Sequence, residues 1–93
     1  MDFTTRTLGA LMYYVYLLKS ISEPNQTYIG FTNDLKKRLS SHNNGESLHT
    51  SKYLPWSLVS YHAFMQKSVA LEFEAYLKSG SGRAFAKKRL WPS

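Results

Sequence analysis

Tyr13–Lys19 (YYVYLLK) and Thr27–Phe31 (TYIGF) are rich in aromatic and β-branched strand formers, and only the segment Ile21–Gln26 (ISEPNQ) parts them. A parallel pairing needs a crossover of about a dozen residues or more, so a link this short, with Pro24-Asn25 at its tip, leaves an antiparallel hairpin. Alternation puts Val15 and Leu17 on one face of the first run and Tyr14, Tyr16 and Leu18 on the other.

Downstream, Thr32 or Asn33 can cap a helix with Asp34 in its first turn, and Leu35, Leu39 and His42 fall at i, i+4 and i+7. Asn43-Asn44-Gly45 stops it. Residues 45–56 are expected to be loop, and Ser57–Phe64 (SLVSYHAF) a third strand. A second helix is expected from Ser68 to about Ser79, ended by Gly80, and a last short one over Gly82–Leu90 started by Ser81. The order β-β-α-β-α-α with only three strands predicts an α/β (α+β) fold, a small three-stranded antiparallel sheet flanked by helices. One domain is expected over residues 12–93. Residues 1–11 are read as an N-terminal extension, since Met12 directly precedes the first strand pattern.

Composition narrows the chemistry. The absence of cysteine excludes disulfides, thiolate zinc sites and a cysteine nucleophile, with the cytoplasm as the default location. No apolar run reaches the roughly 20 residues that span a bilayer, so no membrane partner is expected. Lys+Arg number 12 against 6 Asp+Glu, a net charge of +6, with 15% aromatic residues. That mixture suits a polyanion whose bases stack on rings, although basic charge also serves solubility alone. The cations cluster at Lys36-Lys37-Arg38 and at Arg83, Lys87, Lys88 and Arg89, and no acid follows Ala75.

Three groups of residues stand out. Glu74 interrupts an apolar stripe of Ala70, Phe73 and Leu77, on a helix that Val69, Leu71, Ala75 and Tyr76 make apolar almost all round. A carboxylate so placed must be paired, protonated or bound to a metal; an ion pair, for instance with Arg38, would satisfy it equally. Glu72, far around the helix from Glu74, is expected in solvent. Arg38 and His42, four apart, project from one side of the first helix: one offers a planar cation for phosphate, the other a proton relay near neutral pH. In a run of cations the former is also an ordinary solvated residue. Tyr16 and Tyr28, one on each hairpin strand, can face the same side of the sheet, where a phenol can hold a water or a phosphate oxygen. Amphipathic sheet tyrosines would show the same spacing. Gly30 suggests close backbone approach, for example by a phosphate.

Tyr14-Val15-Tyr16 followed by Tyr28-Ile29-Gly30 resembles the paired motif of the GIY-YIG nucleases. Asp34–Asn43 (DLKKRLSSHN), Pro55-Trp56, Leu58-Val59 and Leu71–Lys78 (LEFEAYLK) are similar to the family's later blocks, in order and spacing, over about residues 13–90. The likeness is to the small, stand-alone, single-domain bacterial members. It implies a metal-dependent endonuclease, or structure-selective nuclease, acting on nucleic-acid phosphodiesters, DNA foremost. It implies Glu74 as ligand to one Mg²⁺ or Mn²⁺, Arg38 on the scissile phosphate, Tyr16 with His42 at the nucleophilic water, and Tyr28 and Gly30 shaping the pocket. Lys36, Lys37, Arg83, Lys87, Lys88 and Arg89 would grip the phosphates. Two positions depart from the pattern: Tyr14 stands where the name-giving glycine would, and Phe31-Thr32 follow the second motif where excision-repair relatives have a lysine. The alternative is a non-catalytic nucleic-acid-binding module on the same fold.

Overall fold

The computed structural model describes residues 12–92, so the expectation for residues 1–11 lies outside the described residues. Strands β1 (Tyr13–Ser20) and β2 (Thr27–Thr32) form the hairpin, followed by helix α1 (Leu35–Asn43), a 3₁₀ turn (Ser51–Tyr53), β3 (Trp56–Phe64), and helices α2 (Lys67–Lys78) and α3 (Gly80–Arg89). The sheet has the order β2-β1-β3 and is antiparallel throughout. This is the expected β-β-α-β-α-α arrangement. No described helix is long and apolar enough to cross a membrane.

Because β1 is the central strand, both its faces are covered, and Val15, Tyr16, Leu17 and Leu18 are all buried. Val15 and Leu17 meet Ala70 and Leu77 of α2 and Ala86 of α3. Tyr16 and Leu18 point the other way, into a second cluster with Trp56, Tyr28, Leu35 and Leu39. The sheet therefore carries α2 and α3 on one face and α1 on the other. Each fully buried side chain contributes about 1.5–3 kcal/mol, which is how a chain this small holds two thin cores.

Helix boundaries differ from the sequence expectation in instructive ways. Asp34 is itself the α1 cap, accepting the Lys37 N–H at 3.1 Å. Helix α2 begins at Lys67, after Gln66, one residue ahead of the expected Ser68 cap. Gly80 does not end α2 in a loop; Ser79 serves as the C-cap of α2 and the N-cap of α3, its Oγ accepting the Gly82 N–H at 3.3 Å. Gly82 lies against the last-turn backbone of α2 at Tyr76, where any Cβ would collide with it, so the tight α2–α3 corner depends on that glycine.

The expected loop over residues 45–56 is tied down rather than free. The Trp56 indole N–H donates to the Thr50 carbonyl at 2.7 Å. Its backbone N–H donates to Asn43 Oδ1 at 2.7 Å while Asn43 Nδ2 donates to the Trp56 carbonyl at 3.1 Å. The end of α1 is thus fastened to the start of β3, and the intervening loop packs Thr50 beneath α1.

Candidate active site

Four side chains form one line through the α1 face of the sheet. The Tyr16 hydroxyl lies 2.8 Å from His42 Nε2, and His42 Nδ1 lies 2.8 Å from Thr50 Oγ1. Arg38 Nε donates to Tyr16 Oη across a long 3.4 Å. Arg38 has no acceptor to offer, so Tyr16 Oη accepts from it and its own proton points to His42 Nε2. His42 is then the Nδ1–H tautomer, donating to Thr50. The sequence expectation that Arg38 and His42 project together is realised, and both converge on Tyr16.

Tyr28 completes the cluster. It stands opposite Leu18 in the β1–β2 register, diagonal to Tyr16 and on the same face. Its ring packs edge-on against His42 with centroids 5.0 Å apart and lies 6.2 Å from the Tyr16 ring. The close approach expected at Gly30 is real, but the group that makes it is a protein side chain. Tyr16 and Gly30 are cross-strand partners, and a Cβ at Gly30 would overlap Oη and Cζ of Tyr16. The glycine is what lets the phenol lie across β2 and reach His42. Gly30→Ala should destabilise the domain by about 1–3 kcal/mol and displace the ring. Urea unfolding combined with an activity assay checks this, and wild-type stability in the variant would refute it.

The electrostatics favour neutral groups waiting to exchange a proton. Burial pushes the Tyr16 phenol above its ordinary value of 10.0, more than the Arg38 hydrogen bond pulls it down; charge at Tyr28 and Glu74 pushes the same way as burial. His42 is completely buried, and burial, with the Arg38 cation second, holds it below its ordinary 6.5. It is therefore an uncharged base at neutral pH. Burial lowers His62 as well, whose ring packs edge-on against Phe73 of α2. Both folded-state values are depressed, so the unfolded chain protonates first: stability is complete above about pH 6.5 and falls as pH drops below it. Melting temperature measured from pH 7.5 down to 5 should decline, and His42→Gln or His62→Gln should flatten that slope.

Glu74 occupies the half-buried border of α2, its side chain 20% exposed, and its Oε2 pairs with Lys78 Nζ at 3.0 Å one turn on. The ion pair is thus with Lys78 and not with Arg38. The apolar character of the helix was misleading: Val69, Leu71 and Tyr76 each stay about 40% exposed, and Ala70 and Leu77 alone are buried. The charge of Glu74 is the weakest of the influences named for the Tyr16 phenol, after burial, Arg38 and Tyr28. Glu72 is exposed, as expected.

Among the described residues no group of three or more His, Cys, Asp or Glu could hold a metal. A Zn²⁺ site is thereby a poor match. Mg²⁺, which keeps several waters and takes one or two carboxylates plus substrate phosphate, fits a lone accessible Glu74.

The basic residues divide. Lys37 and Arg38 border a cleft of about 180 Å³ with Thr32, Asn33 and Ser41, whereas Lys36 turns toward a separate groove with Tyr14 and Tyr61. Arg83 lines a cleft with Tyr28. Lys87, Lys88 and Arg89 are exposed in the last turn of α3, in the helical layer opposite α1. Thr50 and Lys78 were not foreseen. Lys78 was open to notice as the i+4 neighbour of Glu74; nothing in the chain marks Thr50.

The sequence model of the GIY-YIG catalytic domain matches residues 12–89. The chain belongs to the GIY-YIG family. A UPF0213 protein of Streptococcus pyogenes serotype M3 is 39% identical over 72 residues, covering 76% of each chain. The structure-specific endonuclease subunit SLX1 of Candida dubliniensis is 44% identical over 73 residues, 71% of this chain but 26% of that much longer protein. The solution NMR structure of a UPF0213 protein from Bacillus halodurans superposes with a TM-score of 0.52 at 27% identity, covering 88% of this chain and 89% of that one. In GIY-YIG terms, the paired motifs of this chain are the central strand and the β2 edge that carry Tyr16, Tyr28 and Gly30.

Proposed function

We propose that this GIY-YIG domain is a metal-dependent endonuclease that hydrolyses phosphodiester bonds of DNA. The observation that carries the reading is the Arg38–Tyr16–His42–Thr50 line, a phenol set between a permanent cation and a neutral buried imidazole. Arg38 offers its guanidinium to the scissile phosphate and neutralises charge as it builds. Tyr16 Oη accepts a proton from the attacking water while passing its own to His42 Nε2, so no free phenolate has to form. His42 leaves the step as the imidazolium, oriented through Nδ1–H by Thr50. Tyr28 packs the imidazole in place. Glu74 would hold one Mg²⁺ or Mn²⁺ with waters and phosphate oxygens, and Lys78 would have to release the carboxylate. A divalent ion bound there supplies Lewis-acid neutralisation of the leaving oxygen.

A second reading has one observation in its favour: the Lys78 partner removes the repulsion Glu74 would otherwise offer a phosphate, as suits a module that binds and does not cut. Incubation of the protein with supercoiled plasmid and with branched DNA, in Mg²⁺, in Mn²⁺ and in chelator, separates the two. Metal-dependent nicking that chelator abolishes is the expected result. Tight binding without cleavage under every metal condition would establish the module instead.

A further inference from the structure

We propose that the cleft between the β2 edge and the α2–α3 corner is a subsite for one unpaired nucleotide of the bound strand, an inference that rests on the nuclease reading and extends it to substrate choice. The cleft has a volume of about 380 Å³, at the small end of the range of roughly 300–1,000 Å³ for small-molecule sites. It adjoins the active centre through two residues: Tyr28, whose ring touches His42, and Lys78, which pairs with Glu74. Ile29 and Leu77 form an apolar floor, Trp91 supplies a ring, and Lys78 and Arg83 supply cations. Trp91 is fixed just beyond α3 by its backbone N–H, which donates to the Ala86 carbonyl at 2.9 Å.

No acid lines this cleft, and Glu74, the partner of the lining residue Lys78, is already paired. A ring for stacking, an apolar base seat and cations at the rim are the requirements of a nucleobase with its phosphate. An acidic peptide would find the cations but leave the ring and floor unused. A base stacked within a duplex cannot enter such a recess without flipping out, at a cost of a few kcal/mol, so an already unpaired nucleotide is the favoured occupant. The domain should consequently prefer DNA with a single-stranded segment beside the scissile bond.

The test uses the wild-type protein first, in chelator so that nothing is cut. A flap DNA carrying 5-iododeoxyuridine at its first unpaired position should, on irradiation, crosslink to Trp91. A crosslink mapped outside the cleft would overturn the subsite. Fluorescence anisotropy then compares a flap with bases to the same flap made abasic. Trp91→Ala should weaken the base-bearing flap about 10-fold, leave the abasic flap unchanged, and be largely rescued by Trp91→Phe. Equal weakening of both flaps means that Trp91 only supports the fold, and also overturns the proposal. Arg83→Ala, at an exposed position, should weaken both flaps and lessen their salt dependence; an unchanged salt slope would count against the cationic rim. Base-dependent flap binding without cleavage in any metal would sink the hydrolytic reading and leave the subsite standing. Cleavage with base-independent binding would do the reverse.

Discussion

Replacing Glu74 with alanine should give a folded domain whose metal-dependent cleavage is lower by about 10³-fold. The large effect on rate follows from the proposed role of Glu74 as the metal's protein ligand, because among the described residues no cluster of three or more ligands exists to take over. The small effect on folding follows from the surroundings. Glu74 gives up one i,i+4 pair with a Lys78 side chain that is 52% exposed, a contact of about 0.3–0.5 kcal/mol after screening by solvent. For a domain of this size that is a melting shift of about 1–4 °C. Glu74→Gln is the sharper control, because it keeps shape and acceptor oxygen while removing the charge that a divalent ion needs. Cleavage of plasmid in Mn²⁺ and a thermal melt of the same sample decide the matter. A Glu74→Ala protein that cuts at the wild-type rate would show that the carboxylate has no part in the reaction.

The contrast between Glu74 and Tyr16 shows which features a sequence of this kind displays. The hairpin, the shared face of Tyr16 and Tyr28, and the joint projection of Arg38 and His42 all depend on short-range periodicity, which the residues state directly. The environment of Glu74 depends on which side of α2 the sheet covers. Val69, Leu71 and Tyr76 look like core residues in the sequence yet face outward, because a three-stranded sheet is too narrow to cover a whole helix. Thr50 belongs to a loop whose path is fixed by Trp56 and Asn43 acting across the chain, and no local pattern predicts such a contact. At Gly30 the sequence indicated that something must come close, and only the cross-strand register with Tyr16 identifies it as a phenol.

The same register makes Tyr16 and His42 one device, and their substitutions should therefore fail to add. Tyr16→Phe removes the hydroxyl that stands between water and imidazole, and should cost about 10²–10⁴-fold in rate. It also leaves the buried His42 Nε2 without a donor, a penalty of about 1–3 kcal/mol that a urea titration will register. His42→Gln keeps much of the volume and can still accept from Tyr16, but it has no basic nitrogen to hold the proton, so its rate should fall to a similar level. If the proton passes through both, the double variant loses no more than the worse single one. Losses that multiply in the double variant would mean that phenol and imidazole act separately. The pH profile gives an independent check. Burial keeps His42 neutral below its ordinary 6.5, so wild-type cleavage should persist into mildly acidic solution and fall only as the pH drops through that lowered value. The residual rate of His42→Gln should lack that limb, since the group whose protonation produces it has been removed.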